Sequence, residues 1–226
     1  MKSYILLTEK SWHEPLFNSL QQELAEYNWV LINDKNDFNL EYISNLAPEK
    51  IFIPHWSYII PEEIFLKYPC VVFHMTDLPY GRGGSPLQNL IVRGKKETKI
   101  SALLVDKGLD TGDIFLKSEL PLHGTAQEIF LRSVDVIKEM IKTIIVESLQ
   151  PVPQEGQPEN FKRRKPSDGN IENLEDLHSI YDFIRMLDAE GYPNAFIETN
   201  HFRFEFSRAS IKSNKEILAD VRIIKK

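Results

Sequence analysis

Short apolar runs alternate with stretches of helical apolar spacing along the first 150 residues. The runs favour β-strands, and apolar residues that recur every three or four positions favour amphipathic helices. This alternation is typical of βαβ units, so we expect an α/β domain with a mainly parallel sheet and helices on both faces. The predicted strands are 4–8, 29–32, 51–53, 70–73, 99–105 and 114–120. The predicted helices are 16–27, 42–46, one beginning at Pro61, 86–93 and 126–149.

The pattern changes near residue 150. Three prolines and a glycine interrupt the helical spacing between 151 and 158, as in a linker or a surface loop. Beyond them, one helical stretch at 180–187 is followed by three β-like runs. We therefore expect an α/β domain over 1–150 and a small α+β subdomain over 151–226.

Composition excludes several classes of protein. The chain has 226 residues, of which 42% are hydrophobic and 27% charged, as in ordinary globular domains. The single cysteine, Cys70, excludes an intramolecular disulfide and a cysteine-rich metal site, and it favours a reducing, cytoplasmic location. The net charge of −6 disfavours a nucleic-acid partner. No apolar run is long enough to span a membrane, and a monomer or homodimer is expected.

Candidate chemistry lies at the end of the predicted strand 70–73, because ligands bind beyond the carboxyl ends of parallel strands. His74 opens a loop that contains Gly81, Gly83 and Gly84, where a ligand can approach the backbone closely. A histidine satisfied at a strand end is the structural alternative. The local sequence leaves both interpretations open.

A second candidate segment, 105–113, holds three carboxylates and two glycines between two predicted strands. Asp and Gly are frequent turn residues, so a plain hairpin loop is the simpler interpretation of this segment alone. The spacing does not fit a calcium-binding EF-hand. No metal site is predicted.

Together, the two segments resemble two loops of the folate-dependent formyltransferases. The loop that begins at His74 resembles N-x-H-P-S-x-L-P-x-x-R-G-x-x-P in its histidine, Leu-Pro, Arg-Gly and final proline. Residues 109–114 resemble the second family loop, L-D-T-G-D-I. His74 and Asp110 are 36 residues apart, as in that family. The resemblance is good over residues 50–145 and implies a Rossmann-like formyltransferase fold.

The resemblance also implies a mechanism. In the family, a substrate amine attacks the formyl carbon of 10-formyltetrahydrofolate, the formyl donor. By resemblance, His74 donates to the developing oxyanion or carries the proton of the amine, while Asp110 orients the ring and favours its charged form. The resemblance assigns donor binding to Trp56, Ser57, Ile59, Met75, Leu78, Asp106, Lys107 and Gly108. For Trp56, packing within an aromatic cluster is the alternative.

Residues 161–169 and 192–196 resemble the C-terminal part of the sugar N-formyltransferases. This likeness implies that the acceptor is the amine of a nucleotide-linked amino-dideoxy sugar, as in pseudaminic acid synthesis. The basic cluster 162–165 is expected to contact a diphosphate, and a solvated turn is the alternative. The expected acceptor-binding residues are Thr76, Arg82, Gly83, Gly84, Ser85, Arg163, Arg164 and Lys165.

One departure and two alternatives stay open. Val72 occupies the position where the family carries an asparagine as an oxyanion donor. In an active enzyme, Thr76, Ser85, Asn89 or a backbone amide has to replace that donor. The first alternative is an inactive binding module for folate or nucleotide sugar. The other alternative is an acceptor that is an aminoacyl group or tRNA. Methionyl-tRNA formyltransferases carry a larger, basic C-terminal domain, which this acidic chain is not expected to have.

Overall fold

The computed structural model describes all 226 residues. The strands are β1 (Ser3–Thr8), β2 (Asn28–Ile32), β3 (Lys50–His55), β4 (Cys70–His74), β5 (Tyr80–Gly83), β6 (Glu97–Leu104), β7 (Ile114–Pro121), β8 (Glu159–Phe161), β9 (Ala195–Glu198), β10 (Phe202–Ser213) and β11 (Glu216–Lys225). The helices are α1 (Glu14–Glu23), α2 (Leu40–Leu46), α3 (Glu62–Phe65), α4 (Pro86–Val92), α5 (Ala126–Val146) and α6 (Leu177–Leu187).

The main sheet confirms the predicted fold class. Its strand order is β2-β1-β3-β4-β6-β7, and the first four strands in that order run parallel. Ile5 on β1 lies opposite Val30 on one side and Ile51 on the other. Ile5 is fully buried, because helices cover both faces of a parallel sheet. All the predicted strands of residues 1–150 are present within a few residues of their expected bounds.

The antiparallel strand β6 brings a second chain segment to the end of β4. It pairs Val71 with Leu104 and His74 with Ser101. A pattern of apolar runs does not give strand direction, so this reversal was not predicted. As a result, the residues that follow β6 and those that follow β4 leave the sheet in opposite directions.

The glycine-rich segment after His74 is more ordered than the predicted loop. Residues 80–83 form β5, which pairs with the equally short β8. Gly83 has φ +107°, and a Cβ there would lie 2.5 Å from the Phe161 carbonyl oxygen. The glycine therefore permits both a left-handed backbone and a close approach of two chain segments.

The chain forms two compact units. Unit 1 comprises Met1–Arg82, Lys99–Leu120 and Leu131–Asn160, and unit 2 comprises Gly83–Thr98, Pro121–Phe130 and Phe161–Lys226. Unit 2 holds the three-stranded antiparallel sheet β11-β10-β9, on which α6 packs, and this confirms the C-terminal α+β part of the fold. The boundary at residue 150 stays a prediction. None of the helices combines the length and apolar character that a membrane crossing requires.

Candidate functional site

His74 and Asp110 meet in unit 1, as the two loops predict. His74 is the last residue of β4 and is buried, and its Nδ1 lies 3.6 Å from Oδ2 of Asp110. Its Nε2 donates a hydrogen bond of 2.8 Å to the Gly81 carbonyl oxygen, since a carbonyl only accepts. A buried histidine beside a carboxylate is an arrangement suited to general acid–base chemistry.

The Asp110 loop is built by its own side chains. Oδ1 of Asp106 accepts hydrogen bonds from the Gly108 amide (2.9 Å) and the Thr111 hydroxyl (2.6 Å). A Cβ at Gly112 would lie 1.8 Å from the Leu104 carbonyl oxygen. Asp110 itself has φ +53°, in the left-handed region that residues other than glycine adopt at a cost. The turn and the carboxylate beside His74 are therefore parts of the same loop.

Ser101 supports the segment that follows His74, and sequence reasoning missed it. Its hydroxyl donates to the Thr76 carbonyl oxygen at 2.7 Å and accepts from the Leu78 amide at 3.3 Å. Thr76 in turn donates to the Gly81 carbonyl oxygen at 3.3 Å, the same oxygen that binds His74. A lone serine within an apolar strand gives no signal in the sequence, because its role depends on the antiparallel pairing of β6 with β4.

Most of the predicted donor-binding residues lie on two loops, 55–60 and 106–110. These loops lie side by side in unit 1. Nζ of Lys107 on one loop forms an ion pair of 2.6 Å with Glu62, which follows the other loop. Both loops expose large apolar side chains: Ile59 is 94% exposed, Tyr58 beside it is 45% exposed, and Leu109 is 71% exposed. Exposed apolar groups on adjacent loops fit an aromatic ligand such as a pterin. Leu109 was not predicted as a contact, although it begins the L-D-T-G-D-I motif.

Trp56 packs in an aromatic cluster, and donor binding by it stays a prediction. Its ring packs edge-on against Phe38 and Tyr58, with centroid distances of 5.9 and 5.3 Å. Its Nε1 is nevertheless buried without a hydrogen-bond partner. An unpaired indole N–H costs free energy, so this atom fits a ligand acceptor. Ser57 is exposed and donates to Glu9.

Two predicted donor-binding side chains belong to the core. Met75 is 8% exposed and Leu78 is fully buried. Leu78 packs with Leu103, Ile114 and Val72. Only the backbone of these two residues is therefore available to a ligand. Val72 lies two residues before His74, on the same face of β4, and offers no polar group there.

Arg82 faces the Asp110 loop through Gln154, another residue that sequence reasoning missed. The Gln154 side chain accepts from Arg82 and donates to the carbonyl oxygens of Asp110 and Gly112. No sequence signal pointed to Gln154, because it lies in the irregular segment after α5.

The basic cluster lies in unit 2 and is only partly a solvated turn. Arg163 and Lys165 are exposed, whereas Arg164 is half-buried, with its guanidinium over the Phe183 ring at 5.2 Å. Burial lowers the pKa of Arg164. The Arg164 amide donates to the Ser85 hydroxyl at 3.1 Å, and a Cβ at Gly84 would lie 2.5 Å from the Arg163 Cβ. Within unit 2, the 83–85 and 163–165 segments are thus brought together.

Asn89 is occupied within unit 2. Its Nδ2 donates to the carbonyl oxygens of Gly84, Ser85 and Lys162 at 2.9–3.0 Å. Its Oδ1 accepts from Arg93 at 3.1 Å. An amide nitrogen has two hydrogens, so none is left for another oxygen. Asn89 therefore holds the backbone of unit 2.

Two further histidines lie near the carboxyl ends of β1 and β3, where no motif pointed. Nδ1 of His13 lies 2.7 Å from the Thr8 hydroxyl, and burial lowers the pKa of His13 to about 3. Burial lowers the pKa of His55 to about 4. A cavity of about 160 Å³ adjoins this end of β1 and is lined by polar residues that include Glu9 and Lys10. Both rings are neutral at neutral pH.

Two protein families match different parts of the chain. A family model described as "Formyl transferase" matches residues 15–139, and one described as "Methionyl-tRNA formyltransferase, C-terminal domain" matches residues 166–224. The methionyl-tRNA formyltransferase of Clostridium botulinum is 27% identical over 201 residues, 85% of this chain and 64% of that protein. That of Francisella philomiragia is 31% identical over 196 residues, 82% of this chain and 62% of that protein. The chain thus spans less than two thirds of these curated relatives.

Solved structures of the same family or the same fold also resemble this chain. The methionyl-tRNA formyltransferase from Clostridium thermocellum is 51% identical with a TM-score of 0.97, and the match covers 100% of both chains. HypX from Aquifex aeolicus in complex with tetrahydrofolic acid is 18% identical with a TM-score of 0.74, covering 91% of this chain and 37% of that one. A sugar N-formyltransferase from Shewanella is 16% identical with a TM-score of 0.68, covering 88% and 94%. These two likenesses show the fold alone.

The prediction of a nucleotide-linked amino sugar as acceptor, in pseudaminic acid or glycan synthesis and without a nucleic-acid partner, is wrong. A solved methionyl-tRNA formyltransferase is 51% identical to this chain, and the C-terminal domain model of that family matches 166–224. A nucleic-acid partner was excluded because the net charge is an average over the whole chain, which conceals a local excess of basic residues. Residues 201–226 carry seven Lys or Arg against three Asp or Glu, although the whole chain is acidic.

Proposed function

Because the chain belongs to the formyltransferase family, whose formyl donor is 10-formyltetrahydrofolate, we propose that it transfers the formyl group to the amine of methionyl-tRNA. The observation that supports this acceptor most is the 51% identity with the Clostridium thermocellum methionyl-tRNA formyltransferase over the full length of both chains. The buried His74–Asp110 pair supports the chemistry.

His74 and Asp110 are proposed to carry the proton that the amine loses when its nitrogen bonds to the formyl carbon. The bond between that carbon and N10 of tetrahydrofolate breaks, and N10, the leaving group, receives the proton. The donor supplies an electrophilic formyl carbon, and its oxygen gains negative charge when an amine attacks. Nε2 of His74 is bonded to the Gly81 carbonyl oxygen, so it has to leave that oxygen before it can address a substrate. Asp110 stays beside Nδ1 and stabilises the ring while it holds the proton.

The donor is proposed to bind against the two adjacent loops of unit 1. Ile59 and Leu109 supply exposed apolar surface, and Nε1 of Trp56 supplies an unpaired donor. The exposed cations Arg163 and Lys165 stay predicted acceptor contacts. Their proposed ligand is now the phosphate backbone of RNA, which cationic side chains bind without reading sequence.

The test is formyl transfer by the purified protein from 10-formyltetrahydrofolate to methionyl-tRNA. The aminoacyl ester is hydrolysed with mild base, and formylmethionine is measured by mass. Free methionine and a dTDP-linked amino sugar serve as competing acceptors, and the His74→Asn variant serves as the inactive control. Formylation of methionyl-tRNA alone supports the proposal. Donor binding without any transfer would instead favour a binding module, which is the reading that Val72 allows.

A further inference from the structure

Gln154 lies in a part of the chain that neither family model covers, since these match 15–139 and 166–224. Its neighbours on either side, Pro153 and Glu155, are exposed, whereas Gln154 is half-buried. Two residues earlier, Val152 exchanges two backbone hydrogen bonds of 2.8 and 2.9 Å with Ile114. This bridge ties the segment to β7 and fixes where the Gln154 side chain can reach.

The Gln154 amide uses its full hydrogen-bonding capacity. Nε2 donates to the carbonyl oxygens of Asp110 at 2.9 Å and Gly112 at 2.8 Å. Oε1 accepts from Nε and Nη2 of Arg82 at 3.2 and 2.8 Å. A primary amide has two N–H donors and two acceptor lone pairs, so every position is filled. A surface glutamine without a specific role does not need four such partners.

The oxygen and the nitrogen of the Gln154 amide both bind chain segments that contact the His74 ring. Asp110 places its carboxylate beside Nδ1, and Arg82 directly follows Gly81, whose carbonyl oxygen binds Nε2. Gln154 therefore connects the two chain segments that flank the imidazole. All of these residues belong to unit 1.

The Asp110 backbone has a specific need for such support. Its φ of +53° lies in the left-handed region, which is strained for a residue with a Cβ. The Gln154 bonds to the Asp110 and Gly112 carbonyls hold the chain on both sides of Thr111. We propose that Gln154 is a positioning residue, which holds the Asp110 carboxylate in register with His74. The kinetic part of this inference rests on the proposed formyl transfer.

The variant Gln154→Glu tests the N–H donors of the side chain apart from its acceptor oxygen. The carboxylate is isosteric and still accepts from Arg82, but it loses both N–H donors and places negative charge against two carbonyl oxygens. We expect kcat to fall about 10- to 100-fold, the range that a displaced catalytic group produces, while both KM values stay within about threefold. The matched control is Gln150→Glu, because Gln150 is exposed and donates only to the Ser148 carbonyl oxygen.

A second readout needs no substrate and so separates this inference from the proposed function. The ¹⁵N signals of the His74 ring, assigned by their loss in His74→Asn, are recorded at one fixed pH. We expect them to move in Gln154→Glu and to stay unchanged in Gln150→Glu. If Gln154→Glu does not fold, Gln154→Met removes the donors without adding charge. A folded variant with unchanged kcat and unchanged His74 signals would overturn the inference, as would a lower melting temperature with both of these intact.

Discussion

Polar side chains bind different kinds of partner in the loops beside His74 and in the sheet β9–β11. At the end of β4, buried polar side chains bind the backbone, as His74 binds the Gly81 oxygen and Ser101 binds the Thr76 oxygen and the Leu78 amide. In the sheet, charged side chains pair with one another at the surface, as Arg208 pairs with Asp220. Buried bonds demand one residue type in one place, whereas exposed ion pairs contribute little and tolerate exchange. The first region therefore carries a recognisable motif and the second does not.

The largest expected effect tests whether the buried region carries the chemistry. His74→Asn keeps a polar side chain at the end of β4 but removes the imidazole that is proposed to carry the proton. We expect kcat for formyl transfer to fall about 100- to 10,000-fold, the range for a lost general acid or base. The matched control, His178→Asn, alters an exposed histidine of unit 2 and should leave kcat unchanged. Retention of a tenth of the activity by a folded His74→Asn variant would contradict the assignment.

The same contrast explains what the sequence could predict. Strand and helix positions follow from apolar spacing, and the His74–Asp110 pair follows from two local motifs at a fixed separation. The direction of β6, and with it the role of Ser101, depends on pairing between distant segments, which local patterns do not encode. Gln154 was missed because its four partners lie on two other segments. The acceptor was mispredicted because a chain average hides the basic C-terminal end.

The second prediction concerns how tightly the Asp110 loop is packed. A Cβ at Gly112 would lie 1.8 Å from the Leu104 carbonyl oxygen, which is backbone and cannot rotate away. We expect Gly112→Ala to lower the free energy of unfolding by about 3 kcal/mol, as overpacked sites do. Gly94 has φ +70° but no atom within 4 Å of its Cβ position. Gly94→Ala should therefore cost only about 1 kcal/mol of left-handed strain. Equal losses in urea denaturation would contradict the packing argument.

The third prediction follows from a buried histidine outside the catalytic pair. Burial lowers the pKa of His13 to about 3, against about 6.5 in the unfolded chain. The unfolded state thus binds the proton more tightly, so this contribution to stability is complete above pH 6.5 and is lost as the pH falls toward 3. At pH 5 the loss is about 2 kcal/mol.

In His13→Asn, the side-chain amide places a polar atom near the former position of Nδ1, where it can bind the Thr8 hydroxyl. The amide does not titrate. The free energy of unfolding is measured in urea at pH 7.5 and pH 5 for both proteins. We expect the difference between the two pH values to shrink by about 2 kcal/mol in the variant. An unchanged difference in His13→Asn would show that other groups set the acid lability.

The smallest expected effect concerns the basic hairpin β10–β11. Residues 201–226 carry seven cationic side chains, and four of them form ion pairs: Arg203, Arg208, Arg222 and Lys226. Lys212 lies near the end of β10 and Lys215 lies in the turn that follows it, and both are exposed. Cations at the tip of a hairpin are free to meet a phosphate backbone, so they are the part of this region expected to act on the proposed acceptor.

Lys212→Ala and Lys215→Ala should each raise the KM for methionyl-tRNA a few-fold at low salt and leave the KM for 10-formyltetrahydrofolate unchanged. Each lysine that neutralises one phosphate contributes about one unit to the slope of log affinity against log salt. That slope, measured from KM between 50 and 200 mM salt as approximate limits, should become shallower by about one unit per variant. Lys2→Ala is the control, because Lys2 is exposed at the amino end of β1 and pairs with Glu49. If all three variants share the parental slope, the exposed charges of the C-terminal sheet do not bind the acceptor. The difference between the two regions would then lie in packing alone.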